Sequence, residues 1–270
     1  MATVSLGGSL EDKLIGIATA GFDAVELLDE DLRQSGLSPS ECGRLCADLG
    51  LTIDLYQPFR RAEGVSPDEF VEVRARFDRD LGVMKSLGSD AILVVSNTDD
   101  DADSNRNLSV SQVSALAVAA AEQGMTVMFE ALAWGTHINR VLDAWDVVRD
   151  ADQPNLVLVV DTFHLIAGGE DASVLNQLPD NSVGFLQVAD APWLSMDLKQ
   201  WSRNHRCFPG SGAFDLASPV AAAISNGYRG AISLEIFNPE YRALPPAVVA
   251  ERGAQSLDEL VGQLPGLGVK

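Results

Sequence analysis

The sequence predicts an α/β protein, a single (β/α)8 TIM barrel over residues 1–270, on three observations. Leu156 to Val160, LVLVV, is an apolar run without polar alternation, as in a strand of a parallel sheet covered by helices on both faces. It runs directly into Asp161 and His164. The same design recurs where TVMFEA ends at Glu130, VGFLQVAD carries Gln187 and AISLEIF carries Glu235. Finally, such strands alternate with helical segments along the chain, an order that suggests a barrel with its active site at the C-terminal strand ends. A doubly wound open sheet is the rival. It is weakened because no G-x-G-x-x-G turn follows the first strand and no P-loop occurs.

In chain order, Ala2 to Ser5 reads as a first strand, Ser9 to Ala20 as an amphipathic helix and Ala24 to Leu28 as a second strand after Gly21. Ser38-Pro39-Ser40-Glu41 and Ser66-Pro67-Asp68-Glu69 each have the cap, first-turn proline and third-position acid of a helix start. Leu51 to Tyr56 and Ala91 to Ser96 read as strands. Ser109 and Gln112 look like a further capping box opening a helix to Gln123, which feeds the strand ending at Glu130. Helices are expected at Asn139 to Arg149, 172–177, 215–226 and from about Pro246. With the strands at Leu156, Gln187 and Glu235 these make eight strand and helix pairs, followed by a short tail from about residue 264.

The composition bounds the function. A net charge of -20 argues against nucleic acid or an anionic membrane as partner, since both are held by excess Lys and Arg. There is no basic-flanked apolar leader and no apolar run of roughly 18 residues, so a cytoplasmic protein is expected. Homo-oligomerisation stays open. Cys42 and Cys46 share a helical stripe with Leu45 and Leu49, which is core packing, not a metal motif. The run Asp99-Asp100-Asp101-Ala102-Asp103 lacks the glycine and final glutamate of a calcium loop and reads as a solvated loop.

Glu130, Asp161, Gln187 and Glu235 fall at the ends of four consecutive strands, so the barrel brings them to one point. Three carboxylates in a nearly dry place need a counter-charge, and a divalent metal supplies it. An all-oxygen ligand set suits a hard ion such as Mg²⁺ or Mn²⁺ better than zinc. His164, three residues past Asp161, sits where a base or acid over the metal is needed. His137 has a weaker case. Lys199, Arg203, His205 and Arg206 in the long loop after Gln187, with Arg60 and Arg61, gather positive charge in an acidic protein and suggest an anionic substrate.

These residues resemble a known family. The quartet is similar to that of the xylose isomerase-like TIM barrels. More closely, Gln57-Pro58-Phe59-Arg60, Glu130 to Gly135, Asp161-Thr162-Phe163-His164, Gln187 to Pro192, Trp201-Ser202-Arg203, Arg206 with Phe208-Pro209-Gly210, and Ser233 to Asn238 resemble the bacterial 3-dehydroshikimate dehydratases. The resemblance implies that Glu130, Asp161, Gln187 and Glu235 bind a divalent metal, Mg²⁺ or Mn²⁺ or else Co²⁺. It also implies that His164, with Glu130 and Glu235, is catalytic and that Arg60, Ser202 and Arg206 contact a cyclohexene carboxylate. The expected reaction is loss of water through a metal-stabilised enolate to give protocatechuate. Arg61 and Ala62 stand where the pattern has Asp and Phe, and Glu63-Gly64 returns to it. Relatives often carry a second, dioxygenase-like domain, for which this sequence is expected to leave no room. The competing readings are a sugar or cyclitol isomerase, epimerase or dehydratase of the same superfamily, and a non-catalytic metabolite-binding protein.

Overall fold

Seven parallel strands lie side by side in sequence order: β1 Ala24–Leu28, β2 Thr52–Phe59, β3 Ala91–Val95, β4 Thr126–Glu130, β5 Leu156–Asp161, β6 Val183–Val188 and β7 Ile232–Leu234. The computed structural model describes residues 1–264, and the tail expected beyond them lies outside the described residues. Helix α1 (Leu10–Thr19) precedes β1, and α2 (Asp29–Ser35) and α3 (Pro39–Asp48) follow it. Then come α4 (Pro67–Leu87) after β2, α5 (Arg106–Ala121) after β3, α6 (Val141–Ala151) after β4 and α7 (Thr162–Ala167) after β5. Helices α8 (Leu198–Asn204) and α9 (Ala217–Ser225) follow β6, and α10 (Pro239–Arg242) and α11 (Pro246–Gly262) follow β7. None of these helices is long and apolar enough to cross a membrane.

The expected first strand is not a strand. Thr3–Ser5 form a 3-10 turn, yet the segment fills the seam between β7 and β1. Ala2 bridges Glu26 in parallel, and its amide donates to the Leu234 carbonyl at 2.9 Å. Beyond Ala2 the side chains take over. The Thr3 hydroxyl accepts the Leu28 amide at 3.0 Å, and the Ser5 hydroxyl accepts the Ile236 amide at 2.9 Å. Two hydroxyls thus stand in for ladder acceptors, which lets the backbone coil without orphaning its neighbours' N–H groups. The barrel is nearly closed by seven strands and this turn.

Inside the ring, Leu55, Leu93, Val95, Leu132, Val159 and Phe185 pack together under the C-terminal mouth. Outside it, Phe77, Leu81 and Met84 of α4 are fully buried in the layer between helices and sheet. The burial pattern of α4 is the expected amphipathic stripe. Both capping boxes form, at Ser38 with Glu41 and at Ser66 with Glu69. Cys42 and Cys46 are buried in the core as expected, and Cys207 is buried too.

The third box does not form. Helix α5 begins earlier, capped by Asn105 onto the Asn107 amide. Ser109 and Gln112 are buried within the helix, where they bond to the loop after β2. Their spacing mimicked a cap, but both residues serve tertiary contacts.

Candidate active site

Glu130 and Asp161 are the last residues of β4 and β5, Gln187 lies in β6 and Glu235 follows β7. In the ladder Asp161 pairs with Gln187, and Gln187 with Ser233, so these strand ends stand at one level. All four side chains are buried. The parallel register therefore does what the sequence pattern implied. It converges four polar side chains on the mouth of an apolar barrel.

Arg206 sits among them, 1% exposed. Its Nη1 donates to Asp161 Oδ2 at 2.6 Å and to Glu235 Oε2 and the Glu235 carbonyl at 3.1 Å. Its Nη2 donates to Ser202 Oγ at 2.9 Å and stands 3.1 Å from His164 Nε2. One guanidinium thus neutralises one of three converging carboxylates. Burial, with Asp161 and Glu235 nearby, pushes Glu130 well above the usual carboxylate range. Burial lifts Asp161 to about 6 against the pull of Arg206. Positive charge is still wanting.

The long loop after β6 delivers Arg206, and Asp190 holds that loop. Asp190 and Cys207 exchange two backbone hydrogen bonds, at 2.9 and 2.7 Å. The Asp190 carboxylate also accepts the amides of Ala191, Gly210, Gly212 and Phe214 at 2.8 to 3.0 Å. A Cβ on Gly212 would meet that carboxylate at 2.3 Å, so only glycine fits there.

His164 stands in α7, about one helical turn past the strand. The Asp161 carboxylate caps that helix on the Phe163 amide at 2.7 Å. His164 Nδ1 accepts the Ala133 amide at 3.1 Å, and Nε2 lies 3.7 Å from both Glu130 Oε1 and Asp161 Oδ2. Burial, then Arg206, Arg203 and Arg60, hold its pKa well below that of a free imidazole. The ring is therefore neutral at physiological pH.

The donors present fit a divalent cation. Glu130 Oε1 and Gln187 Oε1 are buried acceptors with no hydrogen-bond donor, which is costly unless something positive faces them. Donor atoms of Glu130, Asp161 and His164 lie within 4.8 Å of one another, so the imidazole is within ligand reach as well.

Glu26, in β1, escaped the sequence reading. It is 1% exposed, and its Oε2 accepts Gln187 Nε2 at 2.6 Å and Gln57 Nε2 at 2.9 Å. Because the Gln187 nitrogen is engaged by Glu26, its carbonyl oxygen is the atom turned away, free to ligate. Burial, then Glu235, raises Glu26 to about 8. The signal was present in the sequence: AVELL has a carboxylate in the middle of an otherwise apolar strand. Residues that orient ligands typically carry about 10–100-fold in metal affinity. Glu26→Ala is accordingly expected to weaken Mn²⁺ binding by that factor in a calorimetric titration. An unchanged affinity would remove Glu26 from the centre.

Arg60 and Ser202 line the space above the site together with Trp134, His164, Arg203, Arg206 and Glu235. Arg61 turns away, in a left-handed conformation with φ 52°, and pairs with Asp99 at 2.7 Å. Ala62 is buried. Behind this loop lies a network the sequence left open. Glu63 Oε2 contacts Ser109 Oγ at 2.6 Å and His137 Nε2 at 2.9 Å, and Glu63 Oε1 accepts the Asn97 amide at 2.8 Å. Glu63 thus fastens the Arg60 loop to the loops after β3 and β4 through Asn97 and His137, and His137 does not line the space over the site.

The space over the site is small, about 20 Å³, so a ring-sized ligand enters only if side chains at its rim move. A larger cavity of about 380 Å³ opens at the N-terminal strand ends, lined by Asp23, Thr52, Asp54 and Asp258. Size does not decide between them. The converging ligand-type side chains are at the C-terminal mouth, where barrels of this kind carry their chemistry.

Residues 16–260 match the model of the xylose isomerase-like TIM barrel family. The chain is 46% identical over 257 residues to a 3-dehydroshikimate dehydratase of Pseudomonas aeruginosa and 43% identical over 257 residues to that of Pseudomonas putida. Each alignment covers 95% of this chain but 40% of the relative, so the chain spans under half the length of the curated relatives it matches. Among solved structures, a xylose isomerase-like TIM barrel/4-hydroxyphenylpyruvate dioxygenase fusion protein superposes with a TM-score of 0.95 at 43% identity, over 97% of this chain and 42% of that one. The structure described as IOLI protein with a binding zinc atom superposes at 0.89 with 18% identity over 98% of both chains, a likeness of fold alone. The match from α1 to α11, over strands that carry the whole site, means that the chain belongs to the xylose isomerase-like TIM barrel family.

Proposed function

We propose that this chain is a single catalytic domain, a divalent-metal-dependent 3-dehydroshikimate dehydratase that eliminates water to give protocatechuate. One observation carries the reading. A neutral, buried His164 stands 3.7 Å from the carboxylates of Glu130 and Asp161, beneath the arginines of the same mouth. The names of the relatives at 43% and 46% identity support it. Glu130, Asp161, Gln187 and Glu235 would hold the ion, with Mg²⁺ or Mn²⁺ favoured by their oxygen donors and Co²⁺ an acceptable substitute. When bound, it supplies Lewis acidity toward the ketone oxygen of the substrate.

The chain's own groups do the rest. Arg60 meets the ring carboxylate, in a space whose lining includes Ser202 and Arg206. His164 takes the carbon-bound proton beside the ketone, whose electron pair spreads onto the ketone oxygen, and the hydroxyl on the next carbon leaves as water by taking that proton back from His164. Tautomerisation then completes the aromatic ring. The apolar walls of Leu93, Val95 and Leu132 keep bulk water from the carbanionic centre.

The test is the ultraviolet spectrum of purified protein with 3-dehydroshikimate and Mg²⁺ or Mn²⁺. Protocatechuate absorbance that grows with metal and stops with chelator is expected. No aromatic product from folded, metal-loaded protein would overturn the reading in favour of a polyol substrate.

A further inference from the structure

Arg206 is fully engaged. Its guanidinium is spent on Asp161, Glu235 and Ser202, so its charge is compensated within the chain. Arg203, three residues earlier in α8, is in the opposite condition. Its guanidinium lies 4.5 Å over the Phe237 ring and 5.9 Å from the Trp134 ring centroid, and both rings line the same space. Aromatic faces hold a planar cation without using its N–H edge. Among the described residues no carboxylate lies within ion-pair distance of Arg203, and the same is true of Arg60 across the mouth.

In a chain with 39 acidic residues this leaves two arginines facing one cavity without an ion-pair partner: Glu130 and Glu235 line the same cavity, but Glu235 is bonded to Arg206 and neither pairs with Arg60 or Arg203. Their mutual repulsion is physical: burial and then Arg60 bring Arg203 down to about 10. Like charges held together around a cavity are stabilised by an anion that enters it.

We propose that Arg203, with Arg60, forms the carboxylate clamp of this site, and that Arg203 is the residue that selects a ring carboxylate over a neutral polyol ring. The proposal deepens the dehydratase reading and rests on it for the identity of the ring. It does not rest on it for the chemistry recognised, which is a planar carboxylate met by two guanidinium edges. Arg206 then acts chiefly on the ligand carboxylates, fixing Asp161 and Glu235, and through Nη2 on His164.

The experiment compares protocatechuate with catechol, the same ring without its carboxylate, by calorimetric titration of metal-loaded wild type, Arg203→Gln and Arg203→Lys. Wild type is expected to prefer protocatechuate. Hydrogen bonds to charged groups carry roughly 1.5–3 kcal/mol, so Arg203→Gln should weaken protocatechuate by about 10–100-fold and leave catechol unchanged. Arg203→Lys should fall between them, because a point charge replaces a fork. In turnover the loss should appear in KM more than in kcat. Equal weakening of both ligands, weakening of neither, or a wild type with no preference for protocatechuate would each overturn the clamp. Failure of the dehydratase reading looks different: the carboxylate preference and its dependence on Arg203 persist, but no 3-dehydroshikimate is consumed.

Discussion

Glu130→Gln protein is expected to lose metal-dependent turnover by about 10³-fold or more, because Lewis-acid stabilisation of several kcal/mol disappears with the ion. Glu130 Oε1 is a buried acceptor with no donor, so a cation is what would compensate its charge. The metal-free variant should be no less stable than the metal-free parent. Three carboxylates converge on one arginine, and the variant removes one of the repelling charges. Wild type should melt higher when Mn²⁺ is added, since about 2.7 kcal/mol follows from ligand at a hundredfold excess over Kd. The variant's melting temperature should not respond. A variant that still melts higher with Mn²⁺ and still turns over would remove Glu130 from the ligand set.

His164→Gln separates the base from the metal. General-base catalysis is worth about 10²–10⁴-fold, and that loss is expected in kcat. The rise in melting temperature with Mn²⁺ and the affinity for protocatechuate should persist, because the carboxylates and arginines are untouched. His164 is within ligand reach of Glu130 and Asp161, which makes the control informative. If Mn²⁺ affinity falls together with kcat, the imidazole is a ligand. If turnover stays near normal, another group takes the proton and the base assignment is wrong.

The strand ends were legible because their signal is local. An apolar run that stops at Glu130, Asp161, Gln187 or Glu235 states both the burial of the strand and the position of its polar end. The two capping boxes at Ser38 and Ser66 were legible for the same reason, since cap and acid lie within one turn. Ser109 and Gln112 had the same spacing and meant something else. Their partners, Glu63 and Val65, are more than forty residues away, and no local pattern separates a cap from a tertiary contact. Thr3 and Ser5 misled in a related way. Their hydroxyls perform a strand's bonding from a 3-10 turn, which only the adjacent strands reveal.

By itself the sequence determined the barrel and the level at which its polar strand ends sit, because periodicity, burial and strand direction are consequences of short stretches of chain. It also announced that arginines gather in the loop after β6. Only the tertiary structure decided how those charges divide: Arg206 drawn down between Asp161 and Glu235, Arg203 left stacked on aromatic rings without an ion-pair partner, and Glu26 turning the Gln187 amide so that its oxygen faces the site. The physical reason is that a charge or amide takes its role from the nearest unsatisfied partner in space. In this fold those partners lie 29 to 161 residues away along the chain.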